Sequence, residues 1–231
     1  MRQRIEAVLD YAAVHEGSDR RNPARWKGNL DKVLQAPRKV TKPKHHAAAP
    51  YIEVPAIVAA LAIKDSTSAL CLRFSILTAA RSGEARGARW SEVDLKEKVW
   101  TIPASRMKAG REHRVPLSTE AVAILTSMQP RKLEECDLVF PGGRGGLLSD
   151  VAVNKTLHAE APSFTAHGFR SSFREWGAET TSFPSAVLEL ALAHVDTNKV
   201  QAAYQRSDLF ERRKALMTDW GKYCTGRSAP S

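Results

Sequence analysis

Residues 99–117 read VWTIPASRMKAGREHRVPL and carry the clearest strand pattern in the chain. Branched and aromatic residues are concentrated in 99–102 and again in 112–117, which predicts two short strands. Between them, a glycine-containing loop carries Lys108 and Arg111. Since glycine favours turns, the segment predicts a small antiparallel hairpin.

The sequence on either side of the hairpin has the apolar spacing that is typical of helices. The predicted helices span residues 2–15, 54–63, 68–80, 150–158, 167–179, 184–193, 199–204 and 209–223, and a further helix capped by Ser118 runs to Met128. Residues 138–140 are apolar enough for a short strand, and the glycine-rich residues 141–146 predict a loop. We therefore expect a mostly α fold with a small antiparallel β-sheet (α+β).

The composition predicts a globular and basic protein. The chain has 231 residues, 43% of them hydrophobic, which is enough for one good-sized domain plus a small appendage. Lys and Arg number 35 against 25 Asp and Glu, giving a net charge of +10. This surplus favours polyanionic partners, because each cation set against a phosphate releases condensed counterions. A generically basic protein is the alternative.

The cysteines argue against a metal or disulfide framework. Cys71, Cys136 and Cys224 are odd in number and widely spaced, with no Cys-x-x-Cys pair. We therefore expect no disulfide, no metal site and a reducing compartment. No apolar run reaches membrane-spanning length, and the N-terminus lacks the pattern of a signal peptide. The expectation is a cytoplasmic protein without cofactors.

Residues 37–46, PRKVTKPKHH, form a basic stretch that prolines interrupt, which predicts a linker. Residues 1–35 contain too few apolar positions to bury a core of their own. The expected boundaries are the end of another helical domain at 1–35, a linker at 36–50, the main domain at 51–225 and a flexible tail at 226–231. Within the linker, Lys42 and Lys44 are candidates for phosphate contacts, with a solvated linker as the equal alternative.

Six polar side chains stand out from their helical or loop context. They are Arg81, Lys108, His167, Arg170, His194 and Tyr204. Taken singly, each has an ordinary explanation, such as a solvated helix cap, a hydrogen-bonded histidine, a half-buried tyrosine or an exposed loop lysine. Only their combination points to chemistry.

The combination suits the opening of a phosphodiester without metal. Two arginines can hold the non-bridging oxygens through bidentate forks that are permanently charged. Histidines can donate hydrogen bonds and move protons near neutral pH. A tyrosine hydroxyl, whose usual pKa is about 10, can attack phosphorus and store the bond as a covalent intermediate. A lysine can protonate the departing oxygen.

The order of these residues resembles the tyrosine recombinase family of the phage-integrase type. The matching strings are TAARSGE at 78–84, TAHGFR at 165–170, LAH at 192–194 and AAYQRSD at 202–208. Residues 211–217 with Trp220 are similar to the tail of prophage integrases. The resemblance spans 51–223, and residues 20–24 resemble the end of the family's core-binding domain.

The resemblance implies a role for each residue of the set. Arg81 and Arg170 would hold the scissile phosphate, and Lys108 would protonate the 5′-oxygen. His167 would assist proton transfer at the tyrosine, and His194 would donate to a phosphate oxygen. Tyr204 would be the nucleophile, forming a 3′-phosphotyrosyl link. The predicted structural support is Glu84, and the predicted DNA-binding side chains are Arg81, Lys108, Arg111, Arg170, Lys42 and Lys44.

The resemblance also implies fold, function and partners. The expected fold is that of a tyrosine recombinase catalytic domain. The expected function is integration and excision of a prophage or genomic island, in a bacterial or phage-encoded, nucleoid-associated protein. Partners would be double-stranded DNA attachment sites, three further copies in a homotetramer, and accessory DNA-bending proteins. A type IB topoisomerase and a truncated DNA-binding remnant are the alternatives.

Two departures from the family pattern are visible. Ala79 and Ala193 stand where many members have glycine, and alanine restricts φ. A complete core-binding domain is not recognisable before residue 51, although clamping DNA from both sides supplies affinity. We expect the first departure to leave activity intact and the second to weaken complete recombination.

Overall fold

The computed structural model describes residues 1–17, 21–35, 47–143, 145–194 and 208–227. Its two compact units are Met1–His45 and His46–Ser231. The predicted helix 199–204, with Tyr204, and the linker lysines Lys42 and Lys44 lie outside the described residues. None of the described helices combines the length and the apolar character that a membrane span requires.

The first unit contains helix α1, Arg2–His15, and a short 3-10 turn, Leu30–Lys32. The Asn22 side chain ties the following turn to the helix, because it donates to the carbonyl of Glu6 and to Asp10 Oδ1, both at 2.8 Å. No residue of α1 is buried in the structure. The unit is therefore held by polar contacts rather than by a core.

The second unit contains the remaining regular elements of the described chain. Its helices are α2 Val54–Ala62, α3 Thr67–Thr78, α4 Ser82–Arg86, α5 Thr119–Met128, α6 Asp150–Glu160, α7 Gly168–Thr180, α8 Ser185–Ala191 and α9 Phe210–Cys224. Its strands are β1 Val93–Asp94, β2 Val99–Ile102 and β3 His113–Pro116. Short 3-10 turns span Tyr51–Glu53, Trp90–Glu92, Ala104–Arg106 and Gln129–Arg131. The fold class predicted from the sequence is confirmed.

The sheet is antiparallel in the order β1-β2-β3. Ile102 pairs with His113 across the predicted hairpin, and Val93 of β1 pairs with Trp100 of β2. The predicted two-stranded hairpin is therefore part of a sheet of three strands, of which β1 was not predicted. Residues 138–140 contribute a single bridge between Leu138 and Arg89 rather than a strand.

The core lies between α3 and the helices around it, with α9 closing one side. Leu216, Met217 and Trp220 of α9 are buried in this same chain, and the Trp220 ring nitrogen donates to the carbonyl of Ile76 at 2.8 Å. Trp220 also lies against Trp176 of α7, with ring centroids 5.0 Å apart. Thus the described C-terminal helix packs on its own subunit.

The chain segment before α2 is fastened to the start of α7. The backbone N–H of Thr165 donates to the carbonyl of Ala47 at 3.0 Å, and the Ser172 hydroxyl donates to the carbonyl of Ala49. Gly168 permits this approach, since a Cβ there would lie 2.7 Å from the Ala48 Cα and closer still to the Ala47 carbonyl. Residues 47–49, which were predicted to belong to the linker, pack on the second unit.

We expect Gly168→Ala to destabilise the protein by about 3 kcal/mol, because the added methyl meets backbone rather than a movable side chain. Urea unfolding would measure the loss. Gly83→Ala is the matched control, since nothing lies within 4 Å of a Cβ at that helical position. Equal stability of the two variants would show that residues 47–49 are not held against α7.

Candidate active site

Arg81 is held at the start of α4 by Glu84. Its backbone N–H donates to Glu84 Oε2 at 2.9 Å, and its Nη1 donates to Oε1 at 2.7 Å. The Glu84 carboxylate is buried, whereas the Arg81 side chain retains 23% exposure. A buried carboxylate thus fixes an arginine whose outer edge remains open to an anion.

Arg170 occupies a buried position on α7 between the ends of two helices. Its Nη1 donates to the carbonyl of Ala79 at 2.5 Å, and its Nη2 donates to the carbonyl of Leu192 at 2.6 Å. Burial lowers the pKa of Arg170 to about 10, and the neighbouring charge of Arg81 adds to the effect. The Arg170 guanidinium stays protonated at neutral pH. Arg81 and Arg170 lie close enough for their charges to repel each other, and an anion bound by both would relieve this repulsion.

Helices α3 and α8 end beside the Arg170 side chain, and both end with the same type of cap. Ala79 has φ 50° and follows α3; Ala80 N–H donates to the carbonyl of Ser75 at 3.2 Å. Ala193 has φ 49° and follows α8; the His194 N–H donates to the carbonyl of Glu189 at 3.0 Å. Both are Schellman caps with a left-handed residue, the position where glycine is preferred. The two alanines that depart from the family pattern occupy these positions.

We expect Ala79→Gly and Ala193→Gly each to stabilise the protein by roughly 0.5–1 kcal/mol. The left-handed conformation costs alanine more than glycine, and the greater freedom of glycine in the unfolded chain offsets only part of that gain. Thermal unfolding would record a higher Tm for each variant. Ala80→Gly should lower the Tm, because the backbone of Ala80 does not have a positive φ. A higher Tm for Ala80→Gly would contradict the explanation.

His194 follows the second cap and faces Arg170. Its Nε2 lies 3.2 Å from Arg170 Nη2, and its Nδ1 lies 2.6 Å from Glu189 Oε2. The other Glu189 oxygen accepts from Arg174 Nε at 2.7 Å. Partial burial raises the pKa of Glu189, but the hydrogen bonds from His194 and Arg174 outweigh it, so that the net pKa is lowered. The carboxylate therefore stays ionised.

His167 precedes the first residue of α7 and is exposed, whereas Arg170 one turn later is buried. The backbone carbonyl of His167 accepts from the Arg170 N–H at 3.2 Å. His167 is therefore accessible from solvent, whereas Arg170 is enclosed.

The β2–β3 loop places Lys108 and Arg111 at the surface, and neither side chain forms a hydrogen bond or ion pair in the described part of the chain. The base of this loop is fastened by Arg106. Its Nη2 donates to the Glu84 carbonyl at 2.7 Å, and its Nη1 lies 3.1 Å from Glu92 Oε2. Arg106 was not among the predicted site residues, although it lies two residues from Lys108.

The chain after Tyr204 is anchored from its first described residue. Arg213, which is buried, donates to the Asp208 carbonyl at 2.7 Å, to Asp208 Oδ2 at 2.8 Å and to the Arg114 carbonyl on β3 at 2.5 Å. Asp208 stands four residues after Tyr204 in the sequence. The same arginine thus joins the strand that leaves the Lys108 loop to the segment that follows the predicted nucleophile.

His113 on β3 is a further residue that was not predicted to matter. Burial lowers the pKa of His113 to about 4, and the positive charge of Arg213 contributes. A hydrogen bond with the Ala191 backbone acts in the opposite direction. The imidazole is therefore neutral in the folded protein at physiological pH.

This histidine predicts acid lability. The unfolded chain takes up the proton near pH 6.5, whereas the folded chain stays neutral to about pH 4, so stability falls as the pH falls through this window. The contribution reaches at most about 1.4 kcal/mol per pH unit. Urea unfolding at a series of pH values should show a smaller slope for His113→Gln, and identical slopes would exclude His113 as the cause.

The structure joins Arg81 to Glu84 and Arg170 to His194, and the charges of Arg81 and Glu84 act on Arg170. It places His167 directly before the first residue of α7, the helix that carries Arg170, and Lys108 on the exposed β2–β3 loop. Among the described residues, no cluster of three His, Cys, Asp or Glu side chains could hold a metal ion. These four residues form a cationic cluster whose arginines are held in place and could bind an anion.

Comparison with known proteins gives the family. Residues 51–209 match the model of the phage integrase family. The chain is 34% identical over 232 residues to prophage integrase IntA of Escherichia coli (strain K12), covering 94% of this chain and 52% of that protein. It is 30% identical over 244 residues to the integrase of enterobacteria phage P4, covering 96% and 54%. The chain belongs to the phage integrase family of tyrosine recombinases.

Solved structures agree on the fold. The structure of a lambda integrase dimer bound to a COC′ core site matches with a TM-score of 0.57 at 16% identity, over 85% of this chain and 71% of that one. The integrase from mycobacterium phage Brujita gives 0.57 at 16% identity, over 94% and 69%. The chain spans about half the length of the curated relatives it matches.

Proposed function

We propose that this chain carries the catalytic centre of a site-specific DNA recombinase, which cleaves and rejoins DNA through a covalent bond between Tyr204 and phosphate. The observation that carries the proposal is the proximity of three basic side chains: the charge of Arg81 acts on Arg170, and Arg170 contacts His194. Relatives that share the family are named integrases, and one structural neighbour is bound to a DNA core site.

The proposed step is an in-line substitution at phosphorus. Arg81 and Arg170 stabilise the negative charge that develops on the non-bridging oxygens. The Tyr204 oxygen attacks phosphorus as its proton passes towards His167, and the P–O bond to the 5′-oxygen breaks. Lys108 protonates that oxygen, leaving a 3′-phosphotyrosyl link and a free 5′-hydroxyl. Attack by a 5′-hydroxyl on the phosphotyrosine reverses the step and joins the strands.

Two arginines, the partly buried Arg106 and the buried Arg213, support this mechanism. Arg106 holds the base of the Lys108 loop on the backbone of Glu84, which itself holds Arg81. Arg213 holds Asp208 on β3. The loop that carries Lys108 and the chain that follows Tyr204 are thus each tied to the second unit at a fixed point.

Further partners follow from the same proposal. The substrate would be a pair of double-stranded attachment sites, held by four copies of the protein, with accessory proteins bending the DNA. The outward charge of Lys108 and Arg111, together with Lys42 and Lys44 of the linker, would contact DNA phosphates. Integration and excision of a prophage or genomic island would be the biological outcome.

Covalent capture tests the proposal and identifies the target sequence in the same experiment. The protein is incubated in EDTA with a pool of nicked duplexes of randomised sequence, and SDS-resistant complexes are recovered and sequenced. We expect a covalent complex enriched in one sequence family. Relaxation of plasmid DNA without sequence preference would favour a topoisomerase, and DNA binding without covalent complex would identify an inactive remnant.

A further inference from the structure

The carboxylate of Glu189 on α8 contacts His194, which is one of the residues proposed to bind the phosphate. One oxygen lies 2.6 Å from His194 Nδ1, and the other accepts from Arg174 Nε at 2.7 Å. The Glu189 backbone carbonyl also accepts from the His194 N–H at 3.0 Å. Glu189 therefore holds His194 through both main chain and side chain, and Arg174 fixes the direction of the carboxylate.

These contacts indicate which hydrogen-bond role each ring nitrogen of His194 has in the DNA-free protein. A guanidinium has only donors, so the 3.2 Å contact between Arg170 Nη2 and His194 Nε2 requires a lone pair on Nε2. The ring proton is then on Nδ1, where it is donated to Glu189. The Nε2 of His194 is directed at the arginine that would bind the scissile phosphate.

We propose that Glu189 is a positioning residue for His194, which keeps the proton on Nδ1 and directs Nε2 at the phosphate bound by Arg170. The inference rests on the proposed function and names a residue that it does not include. Glu189 is not assigned a part in bond breaking, because in the described part of the chain its carboxylate contacts His194 and Arg174.

The charge of Glu189 has a second consequence when DNA is bound. A phosphate oxygen in place of the Arg170 contact is an acceptor, so Nε2 must gain a proton to donate to it. The ring is then an imidazolium with Arg170 and Arg174 of α7 nearby and Arg81 beyond Arg170. Glu189 is the anion that faces this cation, and it offsets the repulsion from the arginines.

Glu189→Gln tests the charge with little change of shape. In single-turnover cleavage of a nicked suicide duplex taken from the covalent-capture pool, we expect a rate reduced roughly tenfold, the equivalent of one pKa unit of lost charge stabilisation. DNA affinity should be unchanged. Glu175→Gln, an exposed glutamate on α7, is the matched control and should cleave like the wild type.

A double-mutant cycle separates positioning from general support of the fold. In a His194→Gln background, Glu189→Gln should cause no further loss of cleavage rate; a second tenfold loss would overturn the proposal. A loss of DNA affinity in Glu189→Gln with an unchanged rate of cleavage in the bound complex would also overturn it. Wild-type protein that forms no covalent complex would defeat the proposed function instead, whereas wild-type activity equalled by Glu189→Gln would defeat only this inference.

Discussion

Tyr204→Phe is expected to abolish the covalent protein–DNA complex while leaving DNA binding intact. Phenylalanine has the same ring but no oxygen to attack phosphorus, and loss of a catalytic nucleophile lowers rates by on the order of 10⁶-fold. The described residues nearest to Tyr204 in the sequence, His194 and Asp208, contact Arg170 and Arg213. SDS gels of labelled suicide duplex would measure the complex, and gel shifts would measure binding.

Tyr223→Phe is the matched control for this experiment. The Tyr223 hydroxyl donates to the carbonyl of Tyr51 at 3.1 Å, away from the proposed pocket. Its removal should cost about 1 kcal/mol of stability and leave the covalent complex in place. A complex that persists in Tyr204→Phe and disappears in Tyr223→Phe would show that the nucleophile had been assigned to the wrong tyrosine.

Arg170→Ala is expected to lower single-turnover cleavage by on the order of 10³-fold, because it removes a buried cation from the developing charge. It should also destabilise the fold. The carbonyls of Ala79 and Leu192 lose their donors, and each unsatisfied buried carbonyl costs about 1–3 kcal/mol. Cleavage would be measured well below the melting temperature, and urea unfolding would give the stability.

Two variants separate the effects. Arg170→Lys retains the charge but cannot span both carbonyls with one planar fork, so we expect a smaller stability loss than for alanine and a cleavage rate still well below that of the wild type. Ser171→Ala, at the exposed neighbouring position of α7, should match the wild type in both measurements. Wild-type cleavage by Arg170→Ala would remove Arg170 from the clamp.

The elements that the sequence predicted well are those with a repeating pattern. The helix predicted at 2–15 is present as α1, the strand at 99–102 is present as β2, and Ser118 caps α5 by accepting from the Ala121 N–H at 3.2 Å. Elements too short to show a period were missed: the five residues of α4 and the two of β1. Their conformations depend on partners, such as Glu84 for α4 and Trp100 for β1.

In the candidate site too, some residues could be predicted from the sequence and others are recognised only in the structure. The residue types and their order pointed to Arg81, Arg170 and His194, which the structure joins, while the roles of all these residues and of Tyr204 stay predictions. No local pattern selects Glu189, because it lies inside an apolar run, nor Arg106, which has the composition of a surface loop. Each becomes visible only through the atoms it meets.

The sequence by itself determined the fold class, the family and the set of chemical groups, because apolar periodicity and the local strings around those groups are properties of contiguous residues. The tertiary structure decided which groups meet. Arg170 binds carbonyls 91 and 22 residues away in the chain, and two alanines are held in the left-handed conformation by helix ends that converge on it. Such contacts depend on how α3, α7 and α8 pack together, and the packing of distant segments is not a property of any local pattern.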